Sequence, residues 1–167
     1  MIRRISITVW GNKSKEDWIN WYNDIKELSV DMGYSISHLG IISETYDTGK
    51  VVTVKRKEKS ILSLFLNGEI PSSLSCYSLP DGFKIAAFDY DFLAVRNCDF
   101  ISIILKEFDY NEINEKRIID VIDKYIIPQN GEVYSTDSTE VPLIYATQKC
   151  NEGLESYRFI KNLNETL

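Results

Sequence analysis

The chain has 167 residues, of which 44% are hydrophobic and 26% charged, the balance of an ordinary soluble globular domain with a sizeable core. Its apolar runs fall far short of the roughly 18–20 residues that a bilayer-spanning helix needs. A formal net charge of −6 repels the phosphate backbone, so neither a membrane nor a nucleic acid is the expected partner.

The charge is uneven: residues 1–80 hold ten basic and nine acidic side chains, and residues 81–123 five basic and ten acidic. Met1-Ile2-Arg3-Arg4 leads into a strand pattern and not into the apolar core of a signal peptide, which predicts a cytoplasmic protein. Three cysteines, Cys76, Cys98 and Cys150, are an odd and widely spaced set that argues against a disulfide framework or a closed structural zinc site. With no internal repeat, low-complexity tract or linker, residues 1–167 read as one domain.

In chain order, Ile5, Ile7 and Val9 alternate with Ser6 and Thr8 and mark a strand with one buried face, ended by Gly11-Asn12. Trp18, Trp21, Tyr22, Ile25, Leu28 and Met32 recur at helical spacing, which predicts a helix over 14–32 with Ser14 and Asp17 as a capping box and Gly33 as its stop. The three aromatic residues suit anchors of that helix on a sheet better than ligand contacts. Strands are expected at Tyr34–Ser43 and Val51–Val54, joined by the turn at Tyr46-Asp47-Thr48-Gly49. The basic run Lys55–Lys59 leads into a short helix carrying Ile61, Leu62, Leu64, Phe65 and Leu66. With Cys76–Leu79 as the next strand, the first half spells β-α-β-β-α-β, the ferredoxin-like order.

The stretch from Cys76 to Phe108 is the most apolar part of the chain and the expected centre of the sheet. Pro80-Asp81-Gly82 supplies a turn, so that Cys76–Leu79, Phe83–Asp91 and Phe100–Leu105 form a three-strand meander, with Asn97-Cys98-Asp99 as the second turn. Beyond it, Asn111 or Asn114 caps a helix with the stripe Ile118, Val121, Ile122, Tyr125 and Ile126, stopped by Pro128. Strands at Glu132–Thr136 and Val141–Thr147 and a final helix from Asn151, bearing Leu154, Tyr157, Ile160 and Leu163, complete an α+β fold: a largely antiparallel sheet with helices packed on it.

No motif for a phosphate loop, a Cys-x-x-Cys pair, a His-Glu-x-x-His zinc site or a Gly-x-Ser-x-Gly nucleophile is present. His38 is the only histidine, which excludes mechanisms needing two imidazoles, and nothing in the spacing requires it to meet Cys76 or Cys98 as base and nucleophile. Asp89 and Asp91 stand at i and i+2, a spacing that puts both on one face of a strand, where with Asp99 they would serve a metal-binding or hydrolytic enzyme. The bland alternative is a solvated strand end. A third possibility is a structural module that oligomerises through an exposed strand edge. Tyrosine is abundant, ten residues in all, and several adjoin carboxylates: Asp89-Tyr90-Asp91, Asp109-Tyr110 and Tyr46-Asp47. Carboxylates speed encounter with a basic protein and tyrosines supply contact area, so Asp89, Tyr90, Asp91, Asp109 and Tyr110 are the candidate partner-binding residues. The same tyrosines also suit the amphipathic edges of a core.

In this character the chain resembles an immunity protein of a bacterial toxin–immunity system: small, acidic, α+β and without a catalytic motif. The resemblance implies a non-catalytic inhibitor that needs neither cofactor nor metal and neutralises a cognate toxin. A nuclease with a basic cleft would be complemented by the acidic stretch from Asp81 to Asp123.

Overall fold

A computed structural model describes residues 2–14 and 17–167. The chain runs β1 (Arg3–Lys13), α1 (Trp18–Asp31), β2 (His38–Ile42), β3 (Lys50–Thr53), α2 (Val54–Leu66), β4 (Ser73–Ser78), α3 (Ala86–Asp89), β5 (Phe92–Asn97), β6 (Phe100–Lys106), α4 (Glu112–Ile122), β7 (Ile126–Asp137), α5 (Leu143–Gln148) and β8 (Arg158–Asn162). The strands form one eight-stranded sheet in the order β3-β2-β4-β5-β6-β1-β7-β8, antiparallel throughout. It is the expected α+β domain, with β4, β5 and β6 consecutive and central.

Strand alternation divides the interior into two cores. Ile5, Ile7 and Val9 of β1 face a first core with Trp21, Tyr22 and Ile25 of α1, Ile61 and Phe65 of α2 and Ile118 and Ile122 of α4. Trp10 of the same strand joins a second core with Leu93, Phe100, Ile104 and Tyr134, covered by Leu79, Tyr90, Tyr145 and Leu154. Arg4, Ser6 and Thr8, which alternate with the isoleucines, are buried too. β1 therefore has both faces inside, which its alternating sequence conceals.

Several expected elements take different forms. The order β-α-β-β-α-β is present in the chain, but β1 pairs with β6 and β7 and lies apart from β2 and β4, so the ferredoxin-like arrangement does not form. β1 does not stop at Gly11; a bulge between Trp10 and Gly11 carries it to Lys13 against β7. A Cβ on Gly11 would lie 2.0 Å from the Ile127 carbonyl oxygen, so this close backbone approach requires glycine. Asp17, not Ser14, caps α1, accepting from the Asn20 N–H at 2.9 Å. The basic run Lys55–Lys59 lies within α2, which starts directly after β3. α4 ends at Ile122, six residues before Pro128, and Tyr125 and Ile126 reach the first core from the turn and from β7.

Phe83–Asp91 is not a strand. It is part of a connection closed by the Asp91 N–H on the Ser78 carbonyl (2.8 Å), and Phe92–Asn97 supplies the middle strand of the meander instead. Val141–Thr147 coils into α5, where Tyr145 and Ala146 pack into the second core and Trp10 Nε1 donates to the Ala146 carbonyl at 2.7 Å. The expected last helix is the edge strand β8: Leu154 joins the second core and Leu163 the first, so their helical spacing served two different surfaces.

Arg96 of β5, 1% exposed, ties these layers together. Its guanidinium sits 4.2 Å from the ring centre of Trp18, 5.8 Å from Trp21 and 5.1 Å from Tyr125, and Nη1 donates to the Asp17 carbonyl at 2.8 Å. A desolvated cation over an aromatic face contributes about 2 kcal/mol or more, and a charged hydrogen bond about 1.5–3 kcal/mol. Arg96→Ala is expected to lose about 3 kcal/mol of stability or more, read as a lower urea midpoint at unchanged m-value.

Candidate functional site

The strand registers bring one set of chain ends together. Phe92, at the start of β5, pairs with Ser78 at the end of β4 and with Leu105 near the end of β6. Arg4, near the start of β1, pairs with Lys106 at the end of β6 and with Thr136 near the end of β7. All five predicted partner-binding residues stand on two of the connections that leave this near end of the sheet, β4 to β5 and β6 to α4. Tyr46-Asp47 and Asp99 fall on the turns at the far end, a strand's length of about 17–20 Å away.

Between β4 and β5 the chain folds back over the second face. Pro80-Asp81-Gly82 turns it, with Gly82 at φ 77°, and the Phe83 N–H returns to the Pro80 carbonyl at 3.2 Å. Asp89 then folds its side chain onto its own loop, Oδ2 accepting from the N–H groups of Lys84 (2.7 Å) and Ile85 (2.8 Å). A carboxylate that takes these N–H groups competes directly with strand pairing, which is why this alternating segment coils. These two bonds hold the Asp89 carboxyl below its usual range. Asp91 is spoken for as well, 2.9 Å from Lys106 Nζ.

Tyr90 is 2% exposed and belongs to the second core. Arg4 Cζ lies 3.9 Å from its ring centre, and Arg4 Nη2 donates to the carbonyls of Phe88 (2.5 Å) and Tyr90 (2.8 Å). Burial pushes the Tyr90 phenol up to about 12. Arg4, Tyr90, Phe83, Phe88, Lys84 and Lys106 are among the residues lining a cleft of about 480 Å³.

The second connection is a 3₁₀ turn, Glu107–Asp109, followed by Tyr110 and the cap Asn111. Its parts are tied down on every side. Tyr34 Oη, with its ring stacked on Phe92, donates to the Asp109 carboxylate, and burial followed by that bond raises the Tyr34 phenol. Asn114 Nδ2 donates to the Asp109 carbonyl at 2.7 Å, and Asn111 Oδ1 accepts from the Asn114 N–H at 2.9 Å. Tyr110 Oη donates to Glu115 at 2.7 Å, and Lys161 Nζ reaches the other oxygen of that carboxylate at 2.6 Å. Phe108, at the centre of the turn, is 80% exposed. Exposed Ile2, Ile85 and Ile113 stand at the same end of the sheet.

The predicted residues are thus gathered at one end but employed inward: Asp109 and Tyr110 hold a turn, Asp89 a loop, Asp91 a lysine, and Tyr90 a core. Reasoning from charge missed Phe108, Ile85 and Arg4. Phe108 reads as one more apolar residue before a helix, and only its flanking Glu107 and Asp109 hint that it stays outside. Asp89 and Asp91 face different partners and Asp99 lies at the far end, so the three do not converge. Among the described residues, no group of three histidine, cysteine, aspartate or glutamate side chains is placed to hold a metal ion. His38 and Cys76 lie on opposite faces of the sheet. His38 meets Ser37 Oγ at 2.8 Å and the edge of Phe83 on the second face, while Cys76 is buried in the first core with its thiol pKa raised by that burial.

Among the described residues, no helix is long and apolar enough to cross a membrane. Comparison with protein-family models, with curated proteins and with solved structures yields no match.

The depressed Asp89 carboxyl has a defined pH signature. Its folded-state pKa lies below the usual value, so its hold on the loop is complete above the ordinary carboxylate range and is lost as pH falls through the lowered one. Asp89→Asn at neutral pH is expected to lower the protection factors of the Lys84 and Ile85 amides by about tenfold, and acidification through the carboxylate range should lower them likewise in the unaltered chain once the intrinsic slowing of exchange in acid is divided out. Amide exchange followed by NMR reads both.

Proposed function

We propose that this protein is a non-catalytic inhibitor of the immunity-protein kind, acting in the cytoplasm by docking the near end of its sheet on a cognate toxin domain. The observation that supports this reading best is Phe108: an aromatic side chain 80% exposed, on a turn immobilised by Tyr34, Asn111, Asn114 and Glu115. A large apolar group held rigidly in water suits an interface anchor, because little freedom is left to lose when it enters a partner's pocket. Glu107, Asp109 and Glu112 around it supply the negative rim that steers a basic partner and fixes its orientation. A nuclease, whose cleft is basic to hold nucleic acid, fits that rim.

The docking surface differs in detail from the one expected from the tyrosines. Tyr90 is inside, and Tyr110 serves the turn through Glu115, so contact falls to Phe108 with Ile113, and to Ile85 and Ile2 across the Asp91–Lys106 pair.

The protein encoded by the adjacent reading frame is the partner to test. Phe108→Ala is expected to weaken binding by about 2 kcal/mol, close to thirtyfold, mainly through faster dissociation. Charge reversal at the exposed Glu107 and Glu112 should instead slow association and flatten its dependence on salt. Surface plasmon resonance separates the two effects, and binding indifferent to Phe108→Ala would overturn this choice of surface.

A further inference from the structure

One stretch of the surface runs against the overall charge. Between Asp47 and Glu69 the chain carries five cations, Lys50, Lys55, Arg56, Lys57 and Lys59, and a single carboxylate, Glu58. Four of the five fall in the first half of α2, and all four are exposed. Glu58 is turned toward α1, its Oε2 accepting from Lys26 Nζ at 2.8 Å and from Tyr22 Oη at 2.5 Å. Lys59 acts on Glu58 only from beyond ion-pair distance, and among the described residues no carboxylate stands within that distance of Lys55, Arg56 or Lys57. This placement is unfavourable in the free chain. Lys55, Arg56 and Lys57 stand at the positive end of the helix dipole, no acidic residue occupies that first turn, and Thr53 offers no side-chain cap. Lys55 and Lys59 are also like charges at i and i+4. A layer of negative charge lying against the helix would offset each of these costs.

The position of α2 suits a broad partner. α1 lies between it and α4, so α2 is the outermost helix of the first face, beside the short edge strand β3. Its inner side carries Ile61 and Phe65 into the first core. On the solvent side Lys55, Lys59 and Leu66 stand at i, i+4 and i+11, a single stripe roughly 16 Å long. Leu66 is 76% exposed, and Ile70, just beyond the helix, is 51% exposed. The stripe thus begins with cations and ends with bare aliphatic side chains. An anionic bilayer meets both, its headgroups the cations and its acyl boundary the aliphatic groups. A nucleic acid would use the cations but leave Leu66 and Ile70 in water, and the only aromatic residue of α2, Phe65, is buried and cannot stack on a base.

We propose that the exposed face of α2 binds an anionic bilayer surface, with Lys55, Arg56, Lys57 and Lys59 over the headgroups and Leu66 and Ile70 at the acyl boundary. The net charge of −6 does not prevent this, because screening over about 8 Å at physiological salt leaves close contact to the local patch. The assignment does not rest on the toxin-docking reading. β3, beside α2, and β6, which leads to Phe108, are four strand spacings apart, roughly 19 Å, so a bilayer on α2 leaves the Phe108 turn free.

The test is flotation of the full chain with vesicles of phosphatidylcholine alone and of phosphatidylcholine with an equal part of phosphatidylglycerol. Binding to the anionic vesicles alone is expected, falling by about tenfold or more between about 0.1 and 0.5 M salt. No binding to the anionic vesicles, or equal binding to the neutral ones, would overturn the assignment. Duplex DNA and polyglutamate offer negative charge without an apolar phase, and tighter binding to either would overturn the choice of partner. Lys55→Gln with Lys59→Gln should weaken vesicle binding by about thirtyfold. Lys116→Gln with Lys149→Gln makes the same change in net charge elsewhere and should leave it unchanged. Equal losses from the two pairs would overturn the patch. Leu66→Ser should weaken binding by about tenfold with its salt dependence retained, and no effect of this variant would overturn the bilayer as partner. Phe108→Ala should leave vesicle binding unchanged, which keeps the outcome separate from that of the toxin-docking surface.

Discussion

The fold depends on the double pairing of β1. Its residues are registered on both sides at once, Arg4 opposite Lys106 of β6 and opposite Thr136 of β7, Ile7 opposite Ile103 and opposite Val133. A slip of one residue on either side would exchange the two faces, sending Ile5, Ile7 and Val9 toward the polar side and Arg4, Ser6 and Thr8 into the helices. The register is therefore strongly determined. It also fixes which loops share an end of the sheet, and so which distant segments act together.

The two cores that β1 separates are chemically unlike. The first is a conventional apolar layer between sheet and helices, with Arg96 as the cation enclosed by its aromatic groups. The second is threaded with hydroxyls: Thr8 Oγ1 lies 2.8 Å from Ser102 Oγ and 3.0 Å from Tyr134 Oη, with Tyr145 and Tyr157 stacked beyond. Each of these hydroxyls must meet a partner in a set direction, which fixes how the second core packs.

Local signals were legible where short-range pattern was enough. The alternation of Ile5, Ile7 and Val9 and the stripe from Trp18 to Leu28 sufficed to find β1 and α1, though not the second buried face of β1, and the turn at Asn97-Cys98-Asp99 located the start of β6 but not β5 before it. They failed where a side chain captured the backbone, as Asp89 does, or where evenly spaced apolar residues served two cores, as Leu154 and Leu163 do. Placing the candidate residues together was partly legible, since five named from charge and aromaticity do share an end of the sheet. Their individual roles were not. Tyr110 turns to Glu115 only five residues on, whereas the burial of Tyr90 against Arg4 is decided by segments 86 residues apart. A hydropathy pattern fixes which face of a strand is buried, but not which distant strand lies beside it.

An open sheet of eight strands has two free margins, and this one treats them unequally. β3 is only four residues long and bears Lys50, whereas β8 carries half-exposed Phe159 and Ile160 along an accessible backbone. A register shift between Val133 and Tyr134 kinks the ladder beside β8, and Arg158 and Lys161 flank its apolar pair. Kinks and cations of this kind are how a bare margin avoids serving as a template for other chains. The sheet can thus keep its width without inviting fibrous growth.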